Sequence, residues 1–107
     1  MGMHSPGIES YANADTPVTL TSTSWDRLIL LTTAAGVITV NLPAAATMTG
    51  RKLTFKLTAA AGAVTLDGDG AETIDGAATN VVMDAAQDTL TVQSTGTAWV
   101  IVASQIA

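Results

Sequence analysis

The sequence predicts an all-β fold: an antiparallel sandwich or barrel-like domain of about eight short strands with one short helical turn, preceded by an extended N-terminal arm. Three observations predict it. Apolar residues alternate with polar ones at period two in several runs, as in Ile38, Val40 and Leu42 against Thr39 and Asn41. Turn-forming Gly, Asp and Asn recur between runs at a spacing of about ten residues. The composition is small and β-branched, with 19 Ala and 18 Thr among 107 residues but only four aromatic rings.

Residues 1–16 are polar and punctuated by Pro6, Gly7, Asn13 and Asp15 without apolar periodicity, and read as an arm. The division is therefore an arm at 1–16 and a β-domain at 17–107. Strands are expected near 18–22, 27–32, 37–42, 51–58, 63–66, 79–83, 88–93 and 98–103, with a short one at 72–75. Leu53, Phe55 and Leu57 alternate with Lys52, Thr54 and Lys56, so one face of that strand is buried. The continuous run Leu28-Ile29-Leu30-Leu31 suits a strand covered on both sides or one at a subunit interface. The expected core is Leu28, Leu30, Ile38, Val40, Leu42, Leu53, Phe55, Leu57, Leu90, Val92, Trp99 and Ile101. Between Pro43 and Gly50 a run of helix formers opened by proline and closed by glycine predicts one helical turn.

Charge narrows the function classes. Four basic residues (Arg27, Arg51, Lys52 and Lys56) face nine acidic ones, a formal net charge of -5, and no basic run offers a stripe for phosphates, so nucleic acid is not an expected partner. No apolar stretch approaches the ~20 residues that span a bilayer, no secretion signal is evident, and a soluble protein is expected. Without cysteine there is neither a disulfide nor a thiolate metal site. Charged residues are 12% of the chain, about half the usual share, which suits a surface made for contact with protein and a thin core that gains stability in an oligomer.

No constellation nominates an enzyme. His4 is the single histidine and lies in the arm, and no carboxylate pair is singled out for acid–base work. The acidic segment Asp67-Gly68-Asp69-Gly70-Ala71-Glu72-Thr73-Ile74-Asp75-Gly76 has the oxygen donors a hard cation prefers but not the EF-hand spacing; Asp and Gly in tight turns explain it more simply. Neither a cofactor nor a metal site is predicted. Trp25 and Trp99 read as core fillers before sugar-stacking platforms. Lys52 and Lys56 read as a solvated strand face.

From Val37 to Val102 an ordered set of segments carries a resemblance: Ile38-Thr39-Val40-Asn41-Leu42-Pro43-Ala44-Ala45, Gly50-Arg51-Lys52-Leu53-Thr54-Phe55-Lys56, Val64-Thr65-Leu66-Asp67, Glu72-Thr73-Ile74-Asp75-Gly76, Leu90-Thr91-Val92-Gln93-Ser94 and Gly96-Thr97-Ala98-Trp99-Val100-Ile101. The set resembles a β-domain of tailed-bacteriophage virion proteins, found in tail fibres, tail spikes and small capsid-associated proteins. The resemblance implies a β-rich homotrimer. A chain this short, without heptads for a shaft, suits a capsid decoration (cement) protein, made in the host cytoplasm and bound to the major capsid protein at the virion surface. Ile8, Glu9, Ser10 and Tyr11 of the arm are the expected capsid-docking residues, gaining order on the shell. The alternative is a tail-fibre or receptor-binding tip that contacts a host surface glycan.

Overall fold

The computed structural model describes residues 7–23, 25–77 and 79–106. Part of the predicted arm, residues 1–6 with His4, lies outside the described residues. Among the described residues nine strands follow in chain order: β1 (Ile8–Ala12), β2 (Val18–Thr19), β3 (Arg27–Thr33), β4 (Ile38–Asn41), β5 (Lys52–Ala60), β6 (Val64–Asp67), β7 (Thr79–Met83), β8 (Thr89–Ser94) and β9 (Trp99–Gln105). They form two open sheets, one ordered β1-β3-β5-β8-β9 and the other β2-β4-β6-β7. The all-β class holds.

The chain alternates between the sheets. Strands β1, β3 and β5 lie parallel in the first sheet, while β2, β4 and β6 lie parallel in the second. A parallel neighbour demands a crossover, ordinarily a helix; here each crossover is a strand of the opposite sheet. Each strand–corner–strand unit is thus one coil, and three coils stack. Strands β7, β8 and β9 then return antiparallel on β6, β5 and β8. The antiparallel expectation is corrected for the first two-thirds of the chain, and the barrel alternative is excluded by open sheets.

The stacking follows a repeat in the sequence. Leu31-Thr32-Thr33-Ala34-Ala35-Gly36-Val37-Ile38-Thr39-Val40-Asn41 is echoed 26 residues later by Leu57-Thr58-Ala59-Ala60-Ala61-Gly62-Ala63-Val64-Thr65-Leu66-Asp67. The register sets like on like: Leu31 on Leu57, Ile38 on Val64, Thr39 on Thr65 and Val40 on Leu66. A bulge after Leu31 absorbs one residue where the sheet meets the corner.

At that corner the coils come close. A Cβ on Gly62 would lie 2.0 Å from the Gly36 carbonyl oxygen, so only glycine fits. Side chains from one coil satisfy corner amides of the next. Asn13 Oδ1 accepts from Ala34 and Ala35 N–H, and its Nδ2 donates to Gly36 O. One coil on, Thr33 Oγ1 accepts from Ala61 and Gly62 N–H at 2.9 and 3.0 Å and donates to Gly62 O at 2.8 Å.

The inner faces of both sheets meet in one apolar core containing Ile29, Leu31, Ile38, Val40, Leu42, Leu53, Phe55, Leu57, Val64, Leu66, Leu90, Val92 and Trp99. Trp99 is fully buried, and its indole N–H donates to Pro43 O at 3.2 Å. Ile101 is half-buried and packs against this core.

Leu28 and Leu30 require correction. Register sets Arg27, Ile29 and Leu31 beside Leu53, Phe55 and Leu57, so the inward set of β3 is the odd-numbered one. Leu28 and Leu30 point outward and are half-buried. The apolar run hides the phase, because the second sheet covers only one face of the first.

Other expectations shift locally. Residues 8–12 form an edge strand of the first sheet and not a free arm, so the division at 16/17 does not mark where the fold begins. The helical turn is a single 3-10 turn at Ala45–Thr47, two residues past Pro43. At 72–75 there are isolated bridges from Ile74 to Ala77 and Trp99 in place of a strand.

Truncating Trp99 to Ala should cost about 3–5 kcal/mol in a denaturant titration, through loss of the largest buried side chain. Thr33→Val keeps the volume but leaves the Gly62 N–H unmet; it should cost about 1–3 kcal/mol, and an unchanged midpoint would show that the corner does not depend on this hydroxyl.

Candidate functional site

The arm residues predicted to dock lie at the N-terminal end of the coil stack, where β1 and β2 form edges of the two sheets. In β1 the outward residues Ile8 and Ser10 are exposed, while Glu9 and Tyr11 point inward and are half-buried. Beneath them, on the inward face of β3, lies Arg27, whose side chain is 2% exposed.

A buried guanidinium must have partners. Glu9 Oε2 pairs with Arg27 at 2.8 Å, and Thr21 O accepts from the same guanidinium at 2.6 Å. Glu9 Oε1 accepts from the Tyr11 hydroxyl at 2.6 Å. Among the described residues, Arg27 Nε finds no hydrogen-bond partner. The group closes the open end of the core with a bonded polar layer, where the second coil would otherwise expose its inward row. A surface cavity of about 400 Å³ lined by Glu9, Ser10, Tyr11 and Thr21 opens over it.

Burial raises the Tyr11 phenol to about 12, helped by its bond to Glu9 and by the charge of that carboxylate, with Arg27 opposing. The hydroxyl is thus a firm donor at neutral pH, and Glu9 is committed on both oxygens. The arrangement holds a protonated phenol and an ion pair in place; it does not set up a nucleophile beside a free base.

The acidic segment is divided among backbone tasks. The Glu72 carboxylate accepts from Ala45 N–H and so caps the 3-10 turn. Asp75, at φ 50 before Gly76 at φ 85, accepts from Ile101 N–H at 2.8 Å and covers the edge of β9. Asp67 lies on the outward face at the end of β6. Among the described residues no group of three or more His, Cys, Asp or Glu is placed to hold a metal ion. No helix among them is long and apolar enough to cross a membrane.

Trp25 is 44% exposed in the segment before β3, which corrects its reading as core filler. The roles of Arg27, Asn13 and Thr33 were not expected. For Thr33 and its corner the signal was present in the repeated Leu-Thr and Ala-Ala-Gly; for the burial of Arg27 nothing in the sequence announces it.

Compared with protein-family models, curated proteins and solved structures, the chain matches none.

Tyr11 is the single tyrosine, so phenolate absorbance reports on it alone. Its midpoint should fall near 12 and drop in Glu9→Gln by the part that the carboxylate supplies, while burial still holds it above the ordinary value. The folded phenol holds its proton more tightly than the unfolded one, so its stabilisation is intact below pH 10 and is lost as pH rises towards 12. A wild-type midpoint near 10 would mean that Tyr11 is neither buried nor bonded to Glu9.

Proposed function

We propose that this chain is a structural protein of a tailed-bacteriophage virion, a capsid decoration protein that binds the major capsid protein as a homotrimer and stabilises the shell. The family reading rests on the ordered segments between Val37 and Val102. The two sheets facing across one core suit the expected sandwich. The observation that carries an assembly role is that β1 and β2, the edges of both sheets, lie at the same end of the stack. An exposed sheet edge is a template for pairing with another chain.

The backbone there is oriented for it. Leu28 N–H donates to Gly7 O, and Ala12 N–H turns away from β3 to Asp15 Oδ2 at 2.8 Å. By the alternation of a parallel ladder, the N–H groups of Ile8 and Ser10 also face away from β3. A capsid segment added along β1 would meet these groups and the exposed Ile8 side chain. Contacts bridging neighbouring capsid subunits would then have to break before the shell opens, and binding would supply the stabilisation by mass action.

The exposed ring of Trp25 favours a second reading, a tail-fibre tip on which a host glycan stacks.

Ser10→Pro removes an outward N–H without removing a ladder bond, and proline is tolerated on such edges. In co-sedimentation with undecorated capsids the wild type should bind saturably, while Ser10→Pro should lose binding and keep its unfolding midpoint. Absence of binding by the wild type, together with glycan binding that Trp25→Ala abolishes, would move the protein to the tail.

A further inference from the structure

Three Asp-Gly steps stand in the acidic segment: Asp67-Gly68, Asp69-Gly70 and Asp75-Gly76. Glycine carries no Cβ to shield its own amide, so in each step the backbone nitrogen after the carboxylate is an open nucleophile. When that nitrogen attacks Cγ of the preceding aspartate, a cyclic imide forms. The N–Cγ bond is made as the C–OH bond of the protonated carboxyl breaks, and the amide proton leaves with that oxygen as water. Water then reopens the ring at either carbonyl. Breaking the N–Cγ bond restores aspartate, whereas breaking the backbone N–C bond leaves isoaspartate, with Cβ inserted in the main chain. Water lost in the first step is regained in the second, and no other reactant is needed.

The fold holds two of these steps. Asp67 is half-buried at the end of the β6 ladder, registered with Asn41 and Thr79, and its carbonyl accepts from Leu42 N–H at 2.8 Å. Gly68 behind it is buried, and a Cβ there would lie 2.4 Å from Glu72 O, so this peptide has no room to swing towards a side chain. Asp75 is exposed, but its Oδ1 accepts from Ile101 N–H at 2.8 Å and its own N–H donates to Trp99 O at 3.0 Å. Reaction at either step requires these contacts to open first. Asp69-Gly70 differs on each count. Both residues are exposed, and a Cβ on Gly70 would meet nothing within 4 Å. Their turn is tied by Glu72 N–H donating to Asp69 O at 2.9 Å, which occupies neither reacting group. Among the described residues, neither the Asp69 carboxylate nor the Gly70 N–H has a hydrogen-bond partner.

We propose that Asp69-Gly70 is a site of spontaneous modification, at which the folded protein converts aspartate to isoaspartate while Asp67 and Asp75 are preserved. The motif alone treats the three steps alike; burial and bonding select one. The reaction depends on the chain itself and not on the assembly proposed above. Its product lengthens by one methylene the stretch between β6 and Glu72, whose carboxylate caps Ala45 N–H.

The test ages the full chain in warm neutral buffer, folded and in urea, and locates the product by electron-transfer fragmentation, which cleaves the Cα–Cβ bond that only an isoaspartyl residue carries in its main chain. In the folded protein isoaspartate should accumulate at residue 69 about tenfold or more faster than at 67 or 75, because those two wait on local opening. In urea the three rates should converge. Asparagine at each position forms the same imide faster, with ammonia leaving in place of water, and the mass of the intact chain reads the change. Folded Asp69→Asn should therefore deamidate well ahead of Asp67→Asn and Asp75→Asn, with thermal unfolding as the check that each variant is folded. The assignment is overturned by equal conversion at all three steps of the folded chain, by a leading product at 67 or 75, or by no product at 69 while the urea sample converts. An Asp69→Asn variant that keeps its amide as long as the other two would overturn it as well.

Discussion

Strands in a sheet lie about 4.8 Å apart, and a chain that climbs one strand per coil must hold that spacing at its corners as well as along its strands. The corner between β3 and β4 lies directly against that between β5 and β6, with Gly62 packed on the Gly36 backbone and Thr33 bonded to the amides above it. The rest of the structure depends on this contact. A larger residue at position 62 would push the coils apart, and every registered row behind the corner, from Ile38–Val64 to Leu31–Leu57, would lose its packing. The alanines flanking both glycines follow from the same constraint. They reflect close-stacked corners as much as a thin core.

A stack of coils has two ends, and each leaves an inward row without a neighbour. At the first end Glu9, Tyr11 and Arg27 replace apolar side chains with mutual bonds. This explains an arginine on an inward position that pattern alone would assign to a leucine. At the other end the chain reverses direction, so that β8 and β7 cover β5 and β6 with antiparallel ladders. The edge this creates at β9 is partly blocked by residues 73–75, which bond to Trp99 and Ile101. Asp75 and Gly76 take positive φ as the two central residues of the tight turn that pairs Ile74 with Ala77, and from that turn the Asp75 carboxylate accepts from Ile101 N–H.

The positions of strands β2 to β9 were legible because their alternation is local, and so were the bounds of the core in β4, β5 and β8. Strand direction was not. Period two is the same in parallel and antiparallel strands, and the deciding signal, the 26-residue echo of Leu31 to Asn41 in Leu57 to Asp67, spans more sequence than a strand-by-strand reading covers. β1 escaped because its inward residues are Glu9 and Tyr11, polar side chains that read as an arm until Arg27 is placed beneath them. Leu28 and Leu30 were misassigned because four consecutive apolar residues carry no phase. The acidic segment was legible as turn chemistry, although not which backbone groups Glu72 and Asp75 would bond.

The same arrangement bears on how such a chain can assemble. A coil stack that left apolar rows bare at both ends would lengthen by adding copies end to end, as edges and inward rows together invite. Here the ion pair under β1 and the antiparallel strands at the other end cover the inward rows, while at the first end of the second sheet Val18 of β2 lies buried beside Val40.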